Sequence, residues 1–255
     1  MLLAIDAGNS NITVAVFQDE TLLVHWRLTT DVNRTSDEYG SELRHLFHIF
    51  EADPKRLNAI IIASVVPALS LKLARMGEVY FNLTPIFVDY TTRTGLKIVY
   101  DHPADLGADR IADAVAAVEQ YGAPCIVVDF GTATTFNVVN SAGEFVGGAI
   151  SPGLMTCADA LFSRTAKLPR VEFKQPPRVI ASSTTEAMQS GLFHGYVGLV
   201  DTILARMIAE MEIAPRVIAT GGLAHAIAHA SQYITETDDT LTLEGLRLIY
   251  ERSKA

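Results

Sequence analysis

The chain has 255 residues, of which 49% are hydrophobic and 19% charged, and its formal net charge is −9. That length suits two modest domains with sizeable cores, and the composition is that of an ordinary soluble globular protein. The acidic balance excludes a nucleic-acid protein that works through a basic surface, but not a site for a small anion held by a helix N-terminus or a bound cation.

Along the chain, residues 2–5 and 12–17 read as two apolar strands, and 21–30 as a third. Residues 35–50 then read as a helix, with Leu43, Leu46, Phe47 and Phe50 at helical spacing. Residues 59–66 form a buried strand closed by Pro67, 70–81 a helix and 85–90 a short strand. A connecting helix is expected from Asp109 to Gly122, with a domain boundary near residue 115 that gives halves of 1–115 and 116–255. The second half reads as strands 124–130, 134–140 and 144–150, a helix opened by Ser151 and Pro152, and an irregular polar stretch at 167–182. A long helix follows, with Ser183 and Glu186 spaced as a capping box, then a strand ending in Gly221-Gly222 and a closing helix from Thr242.

The longest apolar run, 59–66, is too short to span a bilayer. Asp6 breaks the short apolar stretch at the start, and no basic segment precedes it, so no signal peptide is expected. Cys125 and Cys157 form no C-x-x-C pair, and Cys125 sits in a strand-like run as a buried small hydrophobe. A reducing, cytoplasmic location is expected.

Two interruptions carry the chemistry. The first is Asp6-Ala7-Gly8-Asn9-Ser10, the second Asp129-Phe130-Gly131-Thr132-Ala133-Thr134-Thr135, each between apolar strands. The acids stand 129 − 6 = 123 residues apart, about half the chain, which indicates one fold unit used twice. Glycine lets a backbone N–H approach a bound oxygen closely, and Ser, Thr and Asn add donors for phosphate. An Asp at a strand end suits Mg²⁺ or its water, the hard cation that phosphoryl transfer needs. Either motif alone is an ordinary polar turn; two in register point to a nucleotide held between facing hairpins. The backbone at Gly221-Gly222 is where a base and ribose would lie. No G-x-x-x-x-G-K-[ST] and no G-x-G-x-x-G occurs, which removes the P-loop and dinucleotide readings.

This order of motifs resembles the sugar kinase, Hsp70 and actin superfamily. The stretches AIDAGNSN, DHPADLGADRIADAVAA, VVDFGTATTFNVV, GGAISPGLM and TTEAMQSG, taken in order across nearly the whole chain, resemble the type III pantothenate kinases. The resemblance implies an α/β fold of two actin/ribonuclease H-like domains, each a mixed sheet flanked by helices, with an interdomain nucleotide cleft. It implies ATP-dependent phosphorylation of pantothenate to 4′-phosphopantothenate, the first step toward coenzyme A. By the same resemblance Asp6, Ala7, Gly8, Asn9, Ser10, Asn11 and Thr13 form the ATP phosphate loop, with Ser10 where Thr is more usual, and Thr132 is a further ATP contact. Tyr100, Gly107, Ala108, Asp109, Arg110 and Thr184 contact the substrate, and Asp109 is the general base. Asp129 is implied as ligand of a monovalent cation, K⁺ or NH₄⁺, and Asp6 as a ligand of Mg²⁺, directly or through water. Asn137 falls where many relatives have Asp.

The physics of Asp109 is compatible with that role. It sits at an expected helix start, where the macrodipole favours a carboxylate, and the adjacent Arg110 offers a bidentate fork to a substrate carboxylate. In isolation the same pair reads as an N-cap and a solvated charge. Gly191, Gly195 and Gly198 lie on one side of the long helix, and the resemblance implies a homodimer through it, with no nucleic-acid or membrane partner. His225 and His229 have the spacing of a zinc pair but lack the Glu and third ligand, so they read as an exposed polar face, as do His45 and His48. The alternatives are a superfamily kinase for another small hydroxyl or carboxylate substrate, and a non-catalytic ATP-binding regulator. A regulator has no need of an intact Asp109.

Overall fold

The computed structural model describes residues 1–254. Packing separates the chain into two units, Met1–Gln120 with the C-terminal helix from Thr240, and Tyr121–Asp239.

The first unit contains β1 (Leu2–Ala7), β2 (Asn11–Gln18), β3 (Thr21–Thr29), α1 (Ser36–Ile49), β4 (Ala59–Ser64), α2 (Pro67–Phe81), β5 (Ile86–Phe87), β6 (Lys97–Ile98) and α3 (Ala108–Tyr121). Its sheet has the order β3-β2-β1-β4-β5. Strands β1 and β2 are antiparallel, with Asp6 opposite Thr13, whereas β4 lies parallel to β1 with Ala7 opposite Ser64. Strands β1 and β4 are apolar at nearly every position because both faces are covered. Leu3, Ile5, Val14, Val16, Ile60 and Ile62 face Tyr39, Leu43 and Phe47 of α1 and Leu69, Leu73 and Met76 of α2. Since side chains alternate along a strand, Leu2, Ala4 and Asp6 point to the opposite face. Helix α1 begins with a complete capping box, in which Thr35 accepts from the Glu38 N–H and the Glu38 carboxylate accepts from the Thr35 N–H.

The second unit contains β7 (Cys125–Phe130), β8 (Ala133–Val139), β9 (Glu144–Pro152), α4 (Leu154–Arg164), α5 (Thr184–Glu210), β10 (Arg216–Gly221), α6 (Ala224–Ala228) and β11 (Glu236–Thr237). Its strands run in the order β11-β10-β7-β8-β9, the arrangement of the first sheet over again. The directions repeat too: β7–β8 and β8–β9 are antiparallel, β10–β7 and β10–β11 parallel. Ile126, Val128, Phe130, Phe136, Val217 and Ala219 form a core with Leu192, Tyr196, Val200 and Leu204 of α5. The internal repeat expected from the two Asp-x-Gly turns is therefore a repeat of sheet topology. Asp6 and Asp129 each occupy the fifth position of a six-residue strand.

Several boundaries differ from the sequence reading. The dividing line falls after Gln120, not near 115, and the closing helix α7 (Leu241–Lys254) packs with the first unit rather than the second. Its buried residues, Leu241, Leu246 and Ile249 among them, lie against β1, β2 and β4, covering the face that Leu2 and Ala4 present. Helix α4 begins at Leu154, because β9 continues through Ser151 and Pro152 and Gly153 is its N-cap. Ser183 caps α5 by accepting from the Glu186 N–H at 3.3 Å. Helix α5 is also long and apolar enough to cross a membrane by length and composition. Its apolar stripe is instead spent on the core of its own sheet, and His194, Asp201 and Arg206 interrupt it.

Candidate active site

The turn between β1 and β2 is closed by the Gly8 N–H donating to the Asn11 carbonyl at 3.0 Å. Thr30, just beyond β3, ties it from outside. Its hydroxyl donates to the Gly8 carbonyl at 2.7 Å and its N–H to the Ser10 carbonyl at 3.0 Å. These bonds point two carbonyl oxygens away from the mouth of the turn, so acceptors that would repel an anion are engaged elsewhere. Asp6 and Thr13 face each other across the ladder at its base.

The N-terminus of α3 lies beside this turn through a single residue. The Val65 N–H donates to the Ala7 carbonyl at 3.1 Å, and Val65 Cγ1 lies 3.4 Å from where a Cβ on Gly107 would stand. The Ile111 N–H bonds the Gly107 carbonyl, making Gly107 the residue that enters the helix. A side chain on Gly107 would also collide with Asp109 Oδ1, so glycine here lets that carboxylate fold back over the helix start. Asp109 Oδ1 accepts from the Arg110 N–H at 2.7 Å. Burial pushes the Asp109 carboxyl above the ordinary carboxylate range, against the lowering influence of the Arg110 N–H and guanidinium. Desolvation thus outweighs the helix-start environment that the sequence suggested would favour the charge. Arg110 is not the solvated charge of the isolated reading: it is 6% exposed, with its guanidinium carbon 6.0 Å from the centre of the Tyr100 ring. Asp6, Ala7, Gly8, Asn9, Ser10, Asn11 and Thr13 thus share one unit with Tyr100, Gly107, Ala108, Asp109 and Arg110, and Val65, which the sequence did not single out, links the two groups.

The second unit holds Asp129, Thr132 and Thr184. Its turn is closed by the Gly131 N–H donating to the Ala133 carbonyl at 3.1 Å. Here α4 does what Thr30 does in the first turn: the Gly153 N–H and the Thr156 hydroxyl both donate to the Thr132 carbonyl, at 3.0 and 2.8 Å. Asp129 sits opposite Thr135 on β8 and Thr220 on β10, so the three oxygen-bearing residues form a row across adjacent strands. Gly221 has φ +90°, and a Cβ there would stand 2.5 Å from Asp129 Oδ1. The bare backbone leaves that carboxylate room. Asn137, fully buried, donates from Nδ2 to Thr135 Oγ1 at 3.3 Å, which makes it a support for the residue facing Asp129. Thr184 belongs to a different element, the exposed first turn of α5.

Among the described residues no group of three or more His, Cys, Asp or Glu could hold a metal by itself. Asp6 and Asp129 each offer one carboxylate beside a turn. That donor set fits an ion shared with phosphate oxygens and water, the habit of Mg²⁺ at nucleotides, or a weakly held monovalent cation. The remaining candidates behave as the sequence suggested. His225 is exposed, with Nε2 3.0 Å from Asp239 Oδ2 and Nδ1 3.2 Å from Thr237 Oγ1. Cys125 is fully buried, its thiol pushed up to about 12 by desolvation.

The sequence model of the type III pantothenate kinase family matches residues 2–206. The chain belongs to the type III pantothenate kinase family. A curated type III pantothenate kinase from Myxococcus xanthus (strain DK1622) is 51% identical over 255 residues, covering 100% of both chains. Solved structures share the fold at much lower identity. The ethanolamine utilization protein EutJ from Carboxydothermus hydrogenoformans has a TM-score of 0.59 at 12% identity, covering 97% of this chain and 89% of its own. A ROK family transcriptional regulator, a homologue of the E. coli MLC protein, has a TM-score of 0.55 at 12% identity, covering 99% and 78%. The turns around Asp6 and Asp129, each at the fifth position of its strand, thus sit on a fold that this chain shares with these solved structures.

Proposed function

We propose that the chain transfers the γ-phosphoryl group of ATP to the primary hydroxyl of pantothenate, giving 4′-phosphopantothenate and ADP. The observation that carries this reading is the first unit itself, where a phosphate-type turn and a buried carboxylate at a helix start are joined through Val65. Asp109 receives the hydroxyl proton as the new O–P bond forms and the bond from Pγ to the departing ADP oxygen breaks. Phosphoryl transfer is loose and asks the protein mainly for position and charge neutralisation, so a carboxylate suffices as base. A value raised by burial brings Asp109 nearer the working pH, where a base is most effective. Arg110, held under Tyr100, is placed to pair with the pantothenate carboxylate.

In this reading Asp6, Ala7, Gly8, Asn9, Ser10, Asn11 and Thr13 receive the ATP phosphates, with Thr132 as a further contact, and Gly107, Ala108, Tyr100 and Thr184 surround pantothenate. Asp6 holds Mg²⁺ directly or through water, and Asp129 a monovalent cation, K⁺ or NH₄⁺. When bound, these ions neutralise the charge that gathers on the transferring phosphoryl group. Gly191, Gly195 and Gly198 of α5 have open space where a side chain would be, which suits a second copy of the chain packed closely against the helix. The proposal is a cytoplasmic homodimer without a nucleic-acid or membrane partner.

The test is ADP release from MgATP on addition of pantothenate, with K⁺ or Na⁺, for the wild type and Asp109→Asn. Turnover should need pantothenate and K⁺ and fall about 100- to 10,000-fold in the variant. Nucleotide binding without turnover in the wild type would replace the kinase reading with a regulator. Full turnover in the variant would remove Asp109 as the base.

A further inference from the structure

Tyr196, in the middle of α5, has no place in the chemistry above, yet it touches all three strand ends that build the second turn. Its ring lies 6.4 Å from that of Phe130, the residue after Asp129 on β7. Its hydroxyl is hydrogen-bonded to the Thr134 hydroxyl at the start of β8, and donates to the Pro152 carbonyl at the end of β9 at 3.4 Å. With its one proton given to Pro152, the phenol accepts from Thr134, so one oxygen ties two strands. The side chain is 4% exposed and Thr134 is fully buried, so water does not compete for either bond. Immediately beyond Pro152, Gly153 takes the Thr132 carbonyl. A tyrosine buried in an otherwise apolar stripe is an expensive choice for a helix that only has to cover a sheet; phenylalanine would fill the same space.

We infer that Tyr196 is a positioning residue for the turn that carries Asp129 and Thr132, and that through it α5 sets the binding strength of ATP and the monovalent cation. The inference rests on the proposed assignment of that turn. The two hydroxyl bonds fix the spacing of β8 and β9 at their ends, and Phe130, packed on the same ring, fixes the end of β7. Asp129 and Thr132 sit on the short segments between these anchors. Gly195, directly before Tyr196, lies on the exposed side of the helix, so a body pressed against that side would act on the turn through the next residue.

The experiment is steady-state kinetics of Tyr196→Phe and Thr134→Val, with K⁺ titrated at saturating substrates and KM measured for ATP and pantothenate separately. Each variant should raise the ATP KM and the half-activating K⁺ concentration by about three- to tenfold, the worth of one or two hydrogen bonds. The pantothenate KM should stay within about twofold, because Tyr100 and the residues 107–110 belong to the other unit and Thr184 lies at the far start of α5, about three turns before Tyr196. The double variant should cost little more than either single one, since both remove the same bond. Direct ATP binding by titration calorimetry reads the same loss without turnover. If the variants melt earlier but keep wild-type ATP and K⁺ constants, Tyr196 is structural only and the inference falls. Should Tyr196→Phe fail to fold, Thr134→Val decides alone. A wild type that does not phosphorylate pantothenate defeats the proposed function instead, and the calorimetric comparison still judges Tyr196.

Discussion

The two turns, around Asp6 and around Asp129, are built from the same strand order and differ in what holds them. In the first, the tie is local: Thr30 ends the third strand and reaches back to the Gly8 and Ser10 carbonyls. In the second, a whole helix does the work, α4 offering Gly153 and Thr156 to the Thr132 carbonyl. The strand beside each acid also differs. Ser64 faces Ala7 at the end of β4, while Gly221, with φ +90°, faces Phe130 at the end of β10. One copy therefore has a side chain where the other has bare backbone beside its carboxylate. Duplicated topology fixes where an acid emerges, and the surrounding scaffold decides what it can hold. The helices after the fifth strands show the same divergence. α3 carries Asp109 in its first turn, whereas its counterpart α7 has Thr242 there, whose hydroxyl donates to Asp113 of α3 at 2.6 Å. One helix carries the proposed base, and the other braces that helix at Asp113.

The largest expected effect comes from neutralising each acid in turn. Asp6→Asn should lower kcat on the order of 100-fold, the scale on which misplaced transition-state charge is felt, and extra K⁺ should not restore it. Asp129→Asn should instead raise the half-activating K⁺ concentration about 10- to 100-fold, as loss of a metal-site group does, with kcat largely recovered at high K⁺. If both variants respond to K⁺ alike, the two turns share one role.

Next in size is an exchange of the residues beside the acids. Gly221→Ser forces a Cβ to 2.5 Å from Asp129 Oδ1 and 2.7 Å from the Phe130 nitrogen, in a left-handed backbone. It should cost about 1–3 kcal/mol, lowering the thermal midpoint by several degrees, and weaken K⁺ activation as well. The reverse change, Ser64→Gly, removes a hydroxyl that accepts from the Val66 N–H at 3.3 Å and should cost no more than about 1 kcal/mol. Equal melting temperatures for the pair would show that the second site does not depend on bare backbone.

Asp109 gives a pH-dependent contrast. Its carboxyl is held above the ordinary range by burial, so between the unfolded and folded values the unfolded chain releases its proton first. Stability then falls as pH rises through that window, and above it the folded state bears a desolvated charge. Activity should move the other way, rising with pH as the base is exposed. Asp109→Asn should flatten both profiles and raise the thermal midpoint at neutral pH relative to the wild type. A variant less stable than the wild type at neutral pH would show that the carboxylate stabilises this helix start rather than straining it.

The sequence made the strands, the two turns and the repeat legible because apolar runs on doubly covered strands and Asp-x-Gly interruptions are local signals. It misplaced the last helix, since nothing in Leu241–Lys254 states which sheet its apolar stripe will cover; Gly245, seated against the Ala112 backbone of α3, decides that. It also extended a helix back to Ser151 on the strength of a proline, where strand pairing with Thr134 wins. Of the site, the residues with conspicuous chemistry could be read, and the supports could not. Val65, Thr30 and Tyr196 act through a backbone N–H, a side-chain hydroxyl and a phenol hydroxyl whose partners are 22 to 62 positions away. No spacing rule connects such pairs.

The smallest expected effects separate the two scaffolds most directly. Thr30→Val keeps the shape of the side chain and removes the 2.7 Å bond to the Gly8 carbonyl, leaving an acceptor turned toward a valine methyl. Thr156→Val removes the 2.8 Å bond to the Thr132 carbonyl, but that oxygen keeps the Gly153 N–H and Thr156 is exposed. A lost hydrogen bond of this kind is worth about 0.5–1.5 kcal/mol, and less where a second donor or water can serve the same acceptor. Thr30→Val should therefore raise the ATP KM by about two- to tenfold and Thr156→Val by less than about twofold. Both can be read in one ADP-release assay. A larger loss from Thr156→Val would mean that the second turn hangs on that single hydroxyl, not on the whole start of α4, and the two scaffolds would then be alike after all.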